Sequence, residues 1–109
     1  MSGGDWKEML VAVQDGNMSL VKYHVESGVD VNYEHPELMT NALIESVNYD
    51  RYEIAKYLLQ NGADPELKAW MSSDSAWSTA KSNRKRDFIH LMQPYRKKGK
   101  SLLQRILRS

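Results

Sequence analysis

The sequence predicts an all-α solenoid of three stacked helix–turn–helix units, with hairpin fingers between units and a short C-terminal helix. Three observations predict it. Leu20-Val21-Lys22-Tyr23-His24-Val25-Glu26-Ser27-Gly28-Val29-Asp30 lies over Ile54-Ala55-Lys56-Tyr57-Leu58-Leu59-Gln60-Asn61-Gly62-Ala63-Asp64, thirty-four residues on. A more worn third copy is Phe88-Ile89-His90-Leu91-Met92-Gln93, and the same spacing relates Ala12, Ser46 and Ala80 in the helices that precede. Apolar residues recur at helical spacing on both sides of each turn.

The first unit opens at Asp5-Trp6-Lys7-Glu8, an Asp followed three residues later by Glu. That is a capping-box pattern, in which the Asp accepts from helix amides and the Glu reaches back. Met9, Leu10, Ala12 and Val13 supply the buried stripe. Asp15-Gly16-Asn17 breaks the helix, and Asn17 is the expected cap of the next one. Leu20, Val21, His24 and Val25 line that second helix, which Gly28 ends. In the second unit Asn41 is the cap, Leu43, Ile44 and Val47 are core, and Asn48-Tyr49-Asp50 is the turn. Ile54, Tyr57, Leu58 and Leu59 line its second helix before Asn61-Gly62. In the third unit Ser75 is the cap, Trp77 and Ala80 are core, and Asn83-Arg84-Lys85 is the turn. Phe88, Ile89, Leu91 and Met92 follow, and Pro94 is expected to end the helix. His24 stands where Leu58 and Met92 stand, which predicts a half-buried residue.

Gly28-Val29-Asp30-Val31-Asn32 and Gly62-Ala63-Asp64 resemble the Gly-Ala-Asp-Val-Asn turn of the ankyrin-repeat family. The resemblance covers about residues 5–95. It implies an ankyrin-repeat domain over 1–95, with units at about 5–37, 38–71 and 72–95, and a basic amphipathic tail over 96–109. Where the family has Thr-Pro-Leu-His, this chain has Lys7-Glu8-Met9-Leu10, Asn41-Ala42-Leu43-Ile44 and Ser75-Ala76-Trp77-Ser78. Loss of that tetrapeptide predicts modest stability. The segments between units are one residue longer than the family norm implies, which puts the extra residue in the fingers.

Composition narrows the function. The 109 residues make one domain. There is no Cys, so no disulfide framework or thiolate metal site is available, and the cytoplasm is the expected location. No signal-type N-terminus and no apolar run long enough for a bilayer is present, so a soluble chain is expected. The net charge of +1 hides a gradient. Residues 1–80 carry five Lys/Arg against thirteen Asp/Glu, whereas 81–109 carry ten against Asp87 alone. The acidic body favours a partner protein with a basic patch.

The fingers hold large, partly apolar residues where solvated loops favour Gly, Ser and Asp: Tyr33, His35, Leu38, Met39, Trp70 and Met71. These are candidate partner contacts. By the resemblance, inner-helix positions facing the hollow of the stack are Val11, Asp15, Glu45, Tyr49, Thr79 and Asn83. Glu45, Tyr49, Thr79 and Asn83 join the candidate site. Glu45 reads first as a solvated face residue and second as a contact for a basic partner. In the tail, Leu102, Leu103, Ile106 and Leu107 share a helical face with Lys100, Arg105 and Arg108 around it. That stretch either covers the open end of the third unit or makes an outside contact, through Lys97, Lys98, Lys100, Leu103, Arg105 and Leu107.

The histidines make no metal set, and no phosphate loop or nucleophile motif occurs. No catalytic residue, metal, cofactor or small-molecule substrate is therefore expected. The reading is a non-catalytic module that binds a partner protein through its fingers and concave face. The alternative is a nucleic-acid- or membrane-surface-associated protein acting through the basic C-terminal end.

Overall fold

The computed structural model describes residues 5–34, 39–69 and 72–96. The expected finger contacts His35, Leu38, Trp70 and Met71, and the tail from Lys97 with its expected helix, lie outside them. Three helical hairpins form: α1 (Asp5–Asp15) with α2 (Met18–Glu26), α3 (Ala42–Asn48) with α4 (Tyr52–Gln60), and α5 (Ala76–Ser82) with α6 (Arg86–Met92). A 3-10 turn, Gln93–Tyr95, follows α6. Inner helices α1, α3 and α5 pack in one row and outer helices α2, α4 and α6 in another, so each hairpin leans on the next. Among the described residues there is no strand element.

The expected caps close the helices. Asn17, Asn41 and Ser75 accept from the amides of Leu20, Ile44 and Ser78. Ser75 and Ser78 also complete a reciprocal capping box, which satisfies two amides that a helix start leaves without partners. At the first helix Glu8 has a contact of longer range, its Oε1 lying 2.8 Å from Nε2 of His24. α6 ends at Met92, two residues before Pro94, as expected. Pro94 sits at the start of the 3-10 turn, where a missing amide hydrogen costs nothing.

The core runs the length of the stack. Val13, Val21, Val47, Ala55, Leu58, Ala80 and Met92 are all fully buried. The small residues Ala12, Ser46 and Ala80 are at most 1% exposed, which explains their size: they sit where inner helices press together. His24 is 2% exposed rather than half-buried, because it fills the slot that Leu58 and Met92 fill in the later units. Trp77 is only half-buried against the core. Positions that are buried in unit two turn polar in unit three. Ile44, Val47 and Leu59 are replaced there by Ser78, Lys81 and Gln93.

Candidate functional site

The hollow of the stack is set by turns that latch each unit to the one before. Gly16, Asp50 and Arg84, each thirty-four residues apart, all take a positive φ at the end of an inner helix. The next residue then points back. Arg51 donates from Nε and Nη2 to the carbonyl oxygen of Gln14, at 3.0 and 2.7 Å. Lys85 donates from Nζ to the carbonyl oxygen of Val47 at 2.6 Å and pairs with Asp50 at 2.9 Å. Both cations thus meet carbonyls at the C-terminal end of an inner helix, where the backbone dipole favours positive charge. A Cβ on Gly16 would meet the Arg51 guanidinium at 3.1 Å. A side chain at position 16 would therefore crowd the first latch.

The fingers are joined in the same way. Asp30 and Asp64 each accept from the amide two residues on, closing the finger turn. Asn32 spans two fingers, donating to the Gly62 carbonyl and accepting from the Asp64 amide. One unit later Glu66 takes the corresponding place and pairs with Arg96 at 2.8 Å. The Arg96 guanidinium also lies 4.1 Å from the centroid of the Trp77 ring. Arg96, counted in the sequence with the tail, packs on the body.

Within this frame the candidate residues separate. Glu45, expected on a solvated face, is only 9% exposed. Its Oε1 accepts from Gln14 Nε2 at 2.7 Å, and its Oε2 accepts from Thr40 Oγ1 at 2.9 Å and from Asn48 Nδ2 at 3.3 Å. The carboxylate is buried because Gln14 of the preceding inner helix and Thr40 of its own unit supply the donors that solvent would otherwise supply. It forms the inner wall of a cavity of about 480 Å³ between the second and third units. Met39, Thr79 and Asn83 line the same cavity, with Asp74 and Ser82. Four candidate residues are thereby brought together: Met39, Glu45, Thr79 and Asn83. Met39 is half-exposed at the rim and holds φ at 50°, a conformation that costs a Met energy and recurs at functional sites.

Tyr49 and Val11 are exposed, at 47% and 53%, and lie outside that lining. Tyr33 is set apart: its ring stacks on Trp6 with centroids 5.2 Å apart, and it stays 42% exposed. On the outer row Tyr57 lies under Lys22, whose Nζ is 5.6 Å from the ring centroid. Burial and the nearby Glu26 charge push the Tyr57 phenol above its ordinary value of 10.0. Among the described residues no group of three His, Cys, Asp or Glu is placed to hold a metal ion, and no helix is long and apolar enough to cross a membrane.

Sequence reasoning missed Thr40, Asn48 and Asp74 as lining residues, and Gln14 as the partner of Glu45. A signal existed. Gln14, Asn48 and Ser82 fall at one repeat position, as do Thr40 and Asp74, so variable polar residues recur on the hollow face where stacking alone needs none.

The family model for ankyrin repeats (three copies) matches residues 5–69. An ankyrin repeat protein of Acanthamoeba polyphaga mimivirus is 30% identical over 92 residues, covering 84% of this chain and 56% of that protein. The 2-5A-dependent ribonuclease of Homo sapiens is 35% identical over 60 residues, 55% of this chain and 8% of the ribonuclease. A palmitoyltransferase of Lachancea kluyveri is 33% identical over 67 residues, 62% of this chain and 8% of that enzyme. The chain thus spans from about half to less than a tenth of the length of these relatives.

Proposed function

We propose that this chain, which belongs to the ankyrin-repeat family, binds a basic segment of another protein at the hollow face between its second and third units, without catalysis. Ankyrin repeats are in general protein–protein interaction modules. The observation that carries the finer reading is the polar cavity walled by both inner helices and both fingers, with exposed Met39 in its lining. A surface held by the latches at Arg51 and Lys85 loses little conformational entropy on binding. The acidic body would raise the encounter rate with a basic segment and orient it.

The test is a pull-down with the whole chain and with Met39→Lys and Tyr49→Lys. Both residues are exposed, so the variants should melt with the parent and lose the captured protein. Capture unchanged in both would move the site away from the hollow face. Binding that instead collapses between low and moderate salt and survives both substitutions would favour phosphate contact through the basic C-terminal end.

A further inference from the structure

We infer that the cavity between the second and third units takes the guanidinium of one arginine side chain from a partner protein, with Glu45 as its counter-ion. This deepens the protein-binding reading above and rests on it.

The first argument is the state of Glu45. Its side chain is largely buried on the cavity wall, and its hydrogen-bond donors are Gln14, Thr40 and Asn48, all neutral. Neutral donors satisfy the oxygens and place no opposite charge against them, which leaves room for a cation as a further partner. The cations that bind the units together have other partners. Arg51 holds the Gln14 carbonyl, Lys85 holds Val47 and Asp50, and Arg96 holds Glu66. A carboxylate has about four acceptor directions, and three are filled. One remains, on a residue that lines the cavity.

The second argument is the composition of the walls. Asp74, Thr79 and Asn83 offer acceptors apart from Glu45, which suits a planar fork of N–H donors better than the compact ammonium of lysine. Met39 and Ile44 provide apolar wall along which the methylene stem of an arginine lies while its head reaches the carboxylates. A hard metal ion fits poorly, because the amide and hydroxyl donors aimed at Glu45 occupy the oxygens such an ion would need.

The third argument is the repeat itself. In the first junction Gln14 fills the gap by reaching Glu45 across the units. In the second, the corresponding Asn48 is one methylene shorter and bonds Glu45 of its own unit at 3.3 Å. The cavity is the space that a longer side chain at position 48 would cross.

The experiment is an NMR titration of the whole chain with a short blocked peptide carrying one central arginine, and with the same peptide carrying citrulline or lysine. Citrulline keeps the shape and removes the charge. Saturable shifts are expected in amides of residues 39–48 and 74–83, with citrulline weaker by about ten-fold or more, the scale of a charge-assisted hydrogen bond. Glu45→Gln should bring the arginine peptide down to the citrulline level. Asp74→Asn, an exposed change that leaves the core untouched, should weaken arginine selectively and serves if Glu45→Gln fails to fold. Equal binding of arginine and citrulline, or no saturable shift at these amides, overturns the inference. Selection of a displayed random-peptide library on the whole chain separates it from the broader reading. Peptides that bind the hollow face, lack basic residues and ignore Glu45→Gln leave protein binding standing and overturn the arginine site. A library that yields no binder to the hollow face counts against both.

Discussion

The two junctions between units are built from the same repeat positions and end differently. Between the first and second units the inner helices are bridged: Gln14 reaches Glu45 at 2.7 Å and Arg51 holds the Gln14 carbonyl twice. Between the second and third units the latch is kept, in the single bond from Lys85 to Val47, but the bridge is absent. Asn48 turns to its own unit, Thr79 stands where Glu45 stood, and Asp74 stands where Thr40 stood. One junction is closed by polar side chains and the other is left open by them. The comparison teaches that stacking and recognition use different positions of the repeat: the buried stripe fixes the stack, while polar residues on the hollow face decide whether a gap remains.

The largest test of this frame is the core that both junctions share. Leu58 is fully buried in α4, which packs against α2 on one side and α6 on the other. Met92 is equally buried in α6, which has the 3-10 turn rather than a further hairpin as its other neighbour. Leu58→Ala is expected to cost about 2–5 kcal/mol, with Met92→Ala at the lower end of that range. Urea titrations of the two variants give the comparison, and equal or reversed losses would contradict the stack order.

The latches come next. Arg51→Ala removes a double charge-assisted bond to a partly buried carbonyl, worth about 1.5–3 kcal/mol. Lys85→Ala removes a single bond, and its pairing with largely exposed Asp50 adds little in water. Thermal melts should therefore rank Arg51→Ala as the more damaging. If Lys85→Ala loses as much, the open junction depends on its latch more than the closed one does.

How much of this was legible in the sequence follows from what each residue does. Asn17, Asn41 and Ser75 could be read as caps because capping is local, decided within a single turn. The stack could be read because Ala12, Ser46 and Ala80 repeat a size requirement. Glu45 could not, because its burial depends on Gln14, thirty-one residues earlier in the chain, and no local pattern brings that amide to it. The contact of Glu8 with His24 of the following helix was illegible for the same reason.

The comparison of junctions can be sharpened by making the open one resemble the closed one. Asn48→Gln restores the longer amide of position 14, on a residue that is exposed. Its effect on stability should stay within about 0.5 kcal/mol, the usual range for surface changes. Its effect on binding should be larger, because an amide crossing the cavity competes with the partner side chain. A peptide titration that finds unchanged affinity, with shifts still centred on residues 39–48, would show that the gap at position 48 is incidental.

The smallest expected effect lies on the outer row, away from both gaps, and serves as the control for a stack held by packing. Tyr57 is half-buried beneath Lys22, with burial first and the Glu26 charge second raising its phenol above 10.0. Both causes penalise the phenolate in the folded state. Below pH 10 the phenol is neutral whether the chain is folded or not, so it leaves stability independent of pH. Above that value the unfolded chain ionises Tyr57 more readily than the folded one, so stability falls as pH rises through the folded value. Tyr57→Phe removes that penalty and should flatten the alkaline edge of a melting profile while leaving neutral pH nearly unchanged. Glu26→Gln should flatten it less, as the lesser cause. An alkaline edge identical in parent and Tyr57→Phe would assign the loss to the other tyrosines.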